Sequence, residues 1–166
     1  MADKPCIFVS LDTSSSVTGV CVWENGVRKE SCVIDLRTFP SGEERLNEMC
    51  RNIYSVLKKH KPSIVVCEMT VVERSAHTQR MLSEIVGVVR GYCLSQKDVW
   101  FDRLRPAEWR KMVWESHPEI GKPPRKREEL KQWSISAVKS LFGIDTDDNE
   151  ADAILIGLAY KARYEK

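Results

Sequence analysis

The 166 residues suit one domain over 1–166 with a single core, and 42% hydrophobic with 30% charged residues is a globular composition. No apolar run approaches the ~20 residues that a membrane span requires, and Met1–Pro5 leads straight into a strand-like run without a secretory leader. Membrane insertion and secretion are therefore excluded, and the expected location is cytoplasmic. The net charge of +2 hides an uneven distribution: residues 103–131 are crowded with lysine and arginine, and residues 145–152 with acids. A basic stretch beside an acidic cluster suits a metal-dependent enzyme acting on a polyanion, or a solvated helix face followed by a polar loop. Six cysteines (Cys6, Cys21, Cys32, Cys50, Cys67, Cys93) stand singly with no Cys-x-x-Cys pair, the pattern of buried reduced thiols.

In chain order, Ile7 to Asp12 alternates and is β-branched, Val17 to Trp23 resumes after a Ser/Thr turn, and Val27 to Leu36 follows the hairpin signal Glu24-Asn25-Gly26. These predict three antiparallel strands. After Pro40-Ser41-Gly42 a helix carries Leu46, Met49, Cys50, Ile53, Val56 and Leu57 on one face and closes at Lys58-Lys59-His60-Lys61-Pro62. Ser63 to Glu68 is a short apolar run ending in an acid, as expected of a strand buried on both faces. Ala76 to Ser95 is apolar at helical spacing, with Gly87 and Gly91 permitting a close neighbour; its face around Met81 to Val89 serves either the core or a subunit interface. Val99-Trp100-Phe101 predicts the last strand. A helix follows from Pro106 to about Glu115, a loop over Ser116 to Pro124, a helix from Arg125 to Leu141 ended at Gly143, and a final helix from Ala151 to Arg163. The order βββαβαβ followed by helices describes an α/β fold with a mixed sheet flanked by helices.

Three acids stand where apolar elements end or begin: Asp12, Glu68 and Asp152. Carboxylates in such places need a cation, a donor or a role, because leaving them unpaired costs several kcal/mol. If the first and fourth strands are parallel neighbours, Asp12 and Glu68 emerge together at the carboxyl edge of the sheet, and a helix crossing that edge adds Asp152. Divalent ions relieve the repulsion among converging carboxylates and activate water, so the reaction implied is metal-assisted phosphodiester hydrolysis. Each acid also has a plainer reading. Asp12 with Thr13-Ser14-Ser15-Ser16 makes a turn, Glu68 pairs with Arg74 or Arg90, and Asp152 complements a helix dipole. Trp100, Phe101, Trp109, Trp114 and Trp133 read as core, and His60, His77 and His117 as surface.

Val9-Ser10-Leu11-Asp12-Thr13-Ser14-Ser15 with Gly19-Val20, Ile64-Val65-Val66-Cys67-Glu68 and Asn149-Glu150-Ala151-Asp152-Ala153-Ile154 together resemble the RuvC family of Holliday junction resolvases, within the ribonuclease H-like superfamily, most like its phage-encoded members. The resemblance spans nearly the whole chain. It implies a five-stranded mixed sheet (three antiparallel strands, then two parallel), a homodimer, Mg²⁺ or Mn²⁺ as two ions per site, and paired nicks in four-way or otherwise branched DNA. Asp12, Glu68 and Asp152 match three of the family's four metal-binding catalytic positions; the fourth, an Asp or His in the family, is Asn149 here. An amide ligates a hard cation without adding charge, so cleavage is weakened or lost unless Asp148 compensates, which leaves a branched-DNA-binding protein as the alternative function. Lys131 falls where the family has a lysine facing the scissile phosphate, and Arg74, Arg125, Lys126, Arg127 and Lys131 are expected to contact DNA. Val71-Val72 stand where some members stack an aromatic residue. Asp12-Thr13-Ser14 to Gly19 also resembles the phosphate turn of actin-like and sugar-kinase-like proteins, but that reading needs a second nucleotide-binding half that 166 residues cannot supply.

Overall fold

The computed structural model describes residues 6–39, 42–69 and 75–164. Its strands are β1 (Ile7–Asp12), β2 (Val17–Glu24), β3 (Val27–Asp35), β4 (Ile64–Glu68) and β5 (Trp100–Leu104). They form one sheet in the order β3-β2-β1-β4-β5, with β1–β2 and β2–β3 antiparallel and β1–β4 and β4–β5 parallel. The expected mixed α/β sheet is therefore present. At the β2–β3 hairpin, Asn25 (φ 51°) and Gly26 (φ 76°) both take the left-handed backbone that a two-residue turn needs to match strand twist.

The helices are α1 (Gly42–His60), α2 (Ala76–Ser95), α3 (Pro106–Ser116), α4 (Arg127–Phe142) and α5 (Asp148–Tyr164). They cover the sheet unequally. Val9, Leu11, Val20, Val22, Val65 and Cys67 pack against α1 and α2 on one face, whereas Phe8, Cys21, Trp23 and Val66 pack against α3, α4 and α5 on the other. Because side chains alternate along a strand, Ser10 and Asp12 share the face of Phe8, and Glu68 shares that of Val66. The strand pattern thus aims both acids at the α5 layer. Met81, Ile85 and Val89 of α2 belong to the core.

Several boundaries differ from the sequence expectation. α5 begins at Asp148 rather than Ala151, because Asp147 caps it: its Oδ1 accepts the Glu150 N–H (2.8 Å) and its carbonyl the Ala151 N–H (3.0 Å). α4 begins at Arg127, since the Leu130 N–H bonds the Lys126 carbonyl (2.9 Å), leaving Arg125 and Lys126 outside the helix. Its end is as expected, with Gly143 left-handed (φ 71°). β5 starts one residue late and runs on to Leu104, its length set by pairing with β4 up to Glu68↔Leu104. A 3₁₀ turn, Pro118–Ile120, interrupts the loop expected over Ser116 to Pro124.

Some residue environments differ too. Gly87 and Gly91 face open space rather than a close neighbour within the chain. Cys21, Cys67 and Cys93 are buried and Cys50 partly so, but Cys6 precedes β1 and Cys32 lies on the edge strand β3, and both are exposed; all six are free thiols. Trp100, on the opposite edge strand, is exposed rather than core. His60 is largely covered and sits 3.1 Å from Glu30; burial and Lys59 lower its pKa against the pull of Glu30. Among the described residues no helix is long and apolar enough to cross a membrane.

Candidate active site

Residues Leu11 and Cys67 are register partners in the parallel β1–β4 pair, so Asp12 and Glu68, the next residues, leave the same carboxyl edge side by side. The turn after Asp12 is satisfied without its carboxylate. Ser14 N–H donates to Thr18 Oγ1 (3.1 Å), Thr18 Oγ1 donates to the Ser14 carbonyl (3.0 Å), and Ser16 and Val17 N–H donate to Ser14 Oγ (3.2 Å each). With Asp147 as its cap, α5 places Asn149 in its first turn and Asp152 in its second, beyond the position where an acid merely complements the dipole. Gly19, the register partner of Asp12, allows α5 to come this close, because a Cβ there would overlap the Asn149 carbonyl.

α3 supplies the rest. Trp109, fully buried, donates its indole Nε1–H to Glu68 Oε2 (2.7 Å). Arg110, the next residue, lies over the Trp109 ring (4.3 Å) and places Nη2 3.3 Å from Asp152 Oδ2 and 3.9 Å from Glu68 Oε2. Glu68 therefore takes its cation from Arg110, not from Arg90. Arg74, the other expected partner, lies outside the described residues, as do Val71 and Val72.

Asp12, Glu68 and Asp152 line a cleft of about 640 Å³ with Arg110, Asp148, Asn149, Arg127 and Lys131, and with Ser14, Ser16 and Arg37, the last paired with Asp35. Lys131 Nζ is held by Asp148 Oδ2 (3.0 Å), and the Asn149 amide points toward Asp148 Oδ1 (3.5 Å). Asp148 thus stands beside Asn149 in the same cleft, paired with Lys131. Arg125 and Lys126 stand outside the cleft lining, and Lys126 pairs with Glu129 (3.4 Å). The sequence reading counts Arg110 only within the basic stretch, Trp109 only as core, and Arg37 not at all. Pro106 as the first residue of α3 was the available signal, since it places residues 109 and 110 one turn into a helix that follows β5.

The three carboxyls hold their protons more tightly than usual. Burial raises the Asp12 pKa most, well above the ordinary carboxylate range, with repulsion from Asp152 and Glu68 adding and Arg110 opposing. Burial raises Glu68 against the Trp109 hydrogen bond and Arg110, and raises Asp152 against the Ser134 hydroxyl and Arg110. Ser134 Oγ and Asp152 Oδ1 are nevertheless both buried without completing a hydrogen bond.

An orphaned carboxylate oxygen among mutually repelling carboxylates is a donor set that fits a hard divalent cation. Among the described residues no three acidic, histidine or cysteine side chains are gathered at gripping distance as they stand; Arg110 is the positive charge between Glu68 and Asp152.

No family model matches the sequence, and no curated protein is detectably similar to it. Solved structures are similar. Thermus thermophilus RuvC bound to a Holliday junction superposes with a TM-score of 0.67 at 15% identity over 95% of both chains. The fowlpox virus resolvase in complex with Holliday junction DNA gives 0.66 at 15% identity, over 96% of this chain and 99% of that one. The yeast mitochondrial Holliday junction resolvase gives 0.61 at 11% identity, over 93% and 77%. The chain has the ribonuclease H-like fold in its RuvC-type form.

Proposed function

We propose that this chain is a metal-dependent, structure-selective DNA endonuclease that nicks four-way or otherwise branched DNA. The observation that carries the reading is the meeting of Asp12, Glu68 and Asp152, from β1, β4 and α5, in a cleft with cationic banks, on a fold shared with junction resolvases. Asp12, Glu68 and Asp152, with the amide oxygen of Asn149, would hold Mg²⁺ or Mn²⁺, two ions per site. When bound, these ions supply Lewis-acid activation of water for in-line attack and stabilise the leaving 3′-oxygen. Trp109 and Arg110 fix the Glu68 carboxylate, one by a hydrogen bond and the other by charge. Arg127 and Lys131 neutralise phosphates of the strand lying in the cleft, and Arg37, which also pairs with Asp35, adds charge to the same lining. Breaking the P–O3′ bond leaves a 5′-phosphate and a 3′-hydroxyl. A two-fold junction needs two coordinated cuts, so the working form is a homodimer.

A second reading, a branched-DNA-binding protein that cuts poorly, is favoured by Asn149, because its amide oxygen can ligate a hard cation but brings no negative charge to the site. One assay separates the two. A labelled four-way junction and a matching linear duplex are incubated with Mg²⁺, Mn²⁺ or chelator and with wild type, Asp12→Asn or Asn149→Asp. Symmetric, metal-dependent nicks confined to the junction and lost in Asp12→Asn support the nuclease. Junction binding without nicks, with cleavage gained in Asn149→Asp, supports the second reading. Neither binding nor cleavage rejects both.

A further inference from the structure

The packing of α5 on the sheet carries one directional contact whose purpose the site alone does not explain. Along α5, Asn149, Ala153 and Gly157 recur every fourth residue and form the seam against β1 and β2. A Cβ on Gly19 would overlap the Asn149 carbonyl, and one on Gly157 would overlap Trp23 Nε1 and lie 2.6 Å from Ser10 Oγ, so the backbones meet with no spare room. Into this seam Ser10, fully buried, donates its hydroxyl to the Ala153 carbonyl (2.7 Å), while Trp23 Nε1–H donates to Ser10 Oγ (3.1 Å). The Ala153 carbonyl lies inside the helix, where an i to i+4 bond already uses it. The Ser10 hydroxyl is therefore not rescuing an unpaired helix terminus.

Ser10 lies two residues before Asp12 on the same face of β1, and Ala153 directly follows Asp152. The close glycine contacts set how near α5 comes to the sheet; a buried hydrogen bond to one chosen carbonyl adds a directional restraint on how far the helix slides or turns. We infer that Ser10 is a positioning residue: its hydrogen bond to Ala153 fixes α5 on β1, and thereby the placement of Asp152 against Asp12. The Trp23 indole holds the Ser10 hydroxyl in the rotamer that points at α5, and Gly157 provides the space. The inference rests on the metal-site reading above, and it assigns the spacing of the acids to a residue that touches none of them.

The test is Mn²⁺ binding to the full chain without DNA, by isothermal titration calorimetry, alongside thermal melting. Four variants are compared with wild type: Asp12→Asn, Ser10→Ala, Trp23→Phe and Ile53→Val. Ile53 packs on the opposite face of the sheet and reports the effect of lost stability alone. The expected result is that Ser10→Ala raises the Kd for Mn²⁺ about tenfold, the scale typical of a group that orients metal ligands. Trp23→Phe, which keeps the Ser10–Ala153 bond, raises it less, and Ile53→Val lowers the melting temperature without changing Kd. Wild-type affinity in Ser10→Ala overturns the positioning role while leaving the metal site intact, as does an equal loss in Ile53→Val. Equal, negligible binding by wild type and Asp12→Asn overturns the metal-site reading and the positioning role with it.

Discussion

Asp12, Glu68 and Asp152 each have a folded pKa above the unfolded one, chiefly through burial, so the native state binds more protons than the unfolded chain. Stability therefore falls as pH rises from the ordinary carboxylate range through the raised native values. In chelator, these carboxyls lower the melting temperature between pH 5 and pH 7. His60, whose pKa is lowered, acts with the opposite sign in that window, so Asp12→Asn is the comparison that isolates the carboxyl contribution. Asp12→Asn removes the most strongly raised of the three groups and the repulsion it exerts. Its melting temperature at pH 7 is expected to rise by about 3 °C, the shift that about 1 kcal/mol produces in a chain of this size. Calorimetric scans across that pH range check the sign, and an unchanged or steeper pH dependence in Asp12→Asn contradicts it. The identities of these acids were legible in the sequence, because each interrupts an apolar run at a point where a charge is costly. Their mutual repulsion was not, since it depends on distances between elements that are far apart along the chain.

At the scale of elements, α3 does what the sequence reading gave to no helix. It lays Trp109 and Arg110 against the carboxylates of β4 and α5, and the guanidinium is the cation that offsets them. Removing it in Arg110→Ala leaves two largely buried carboxylates facing each other. The expected cost is about 2 kcal/mol in chelator, with much of it recovered on adding Mn²⁺. Urea unfolding with and without the ion measures both quantities, and a loss that Mn²⁺ leaves untouched argues against the ion taking over the role of Arg110. α5 shows how a boundary is misread. Its apolar run begins at Ala151, but its first hydrogen bonds are organised by the polar Asp147 cap, and Asp147-x-x-Glu150 is the local signature of such a start. The Glu150 side chain accepts from Ser31 of β3 (2.7 Å) instead of reaching back to the cap.

At the scale of the molecule, a net charge of +2 says little about nucleic-acid binding; placement matters more. Of the basic residues singled out from the sequence, Arg127 and Lys131 reach the cleft, whereas Arg125 and Lys126 precede α4. Junction affinity is expected to fall steeply with salt, and Arg127→Ala and Lys131→Ala to reduce the log–log slope by about one each. Arg125→Ala and Lys126→Ala should change it less. Fluorescence anisotropy of a labelled junction over a series of KCl concentrations gives the slopes, and equal effects at all four positions would mean that the cleft is not the binding path.

The order of strands and helices, the alternation that aims Asp12 and Glu68 at one face, and the three acids themselves follow from local pattern, because periodicity and element ends are properties of neighbouring residues. The fourth position, Asn149, stands out only through the family resemblance, since no local pattern marks an asparagine in the first turn of a helix. The tertiary structure alone decided the partners: Glu68 with Trp109 across 41 positions, Asp152 with Arg110 across 42, and Ser10 with Ala153 across 143. No local period carries such pairings. They exist because a parallel β1–β4 pair, a helix capped at Asp147 and glycines at 19 and 157 bring distant backbones into contact, and only then do the charges and hydrogen bonds have partners.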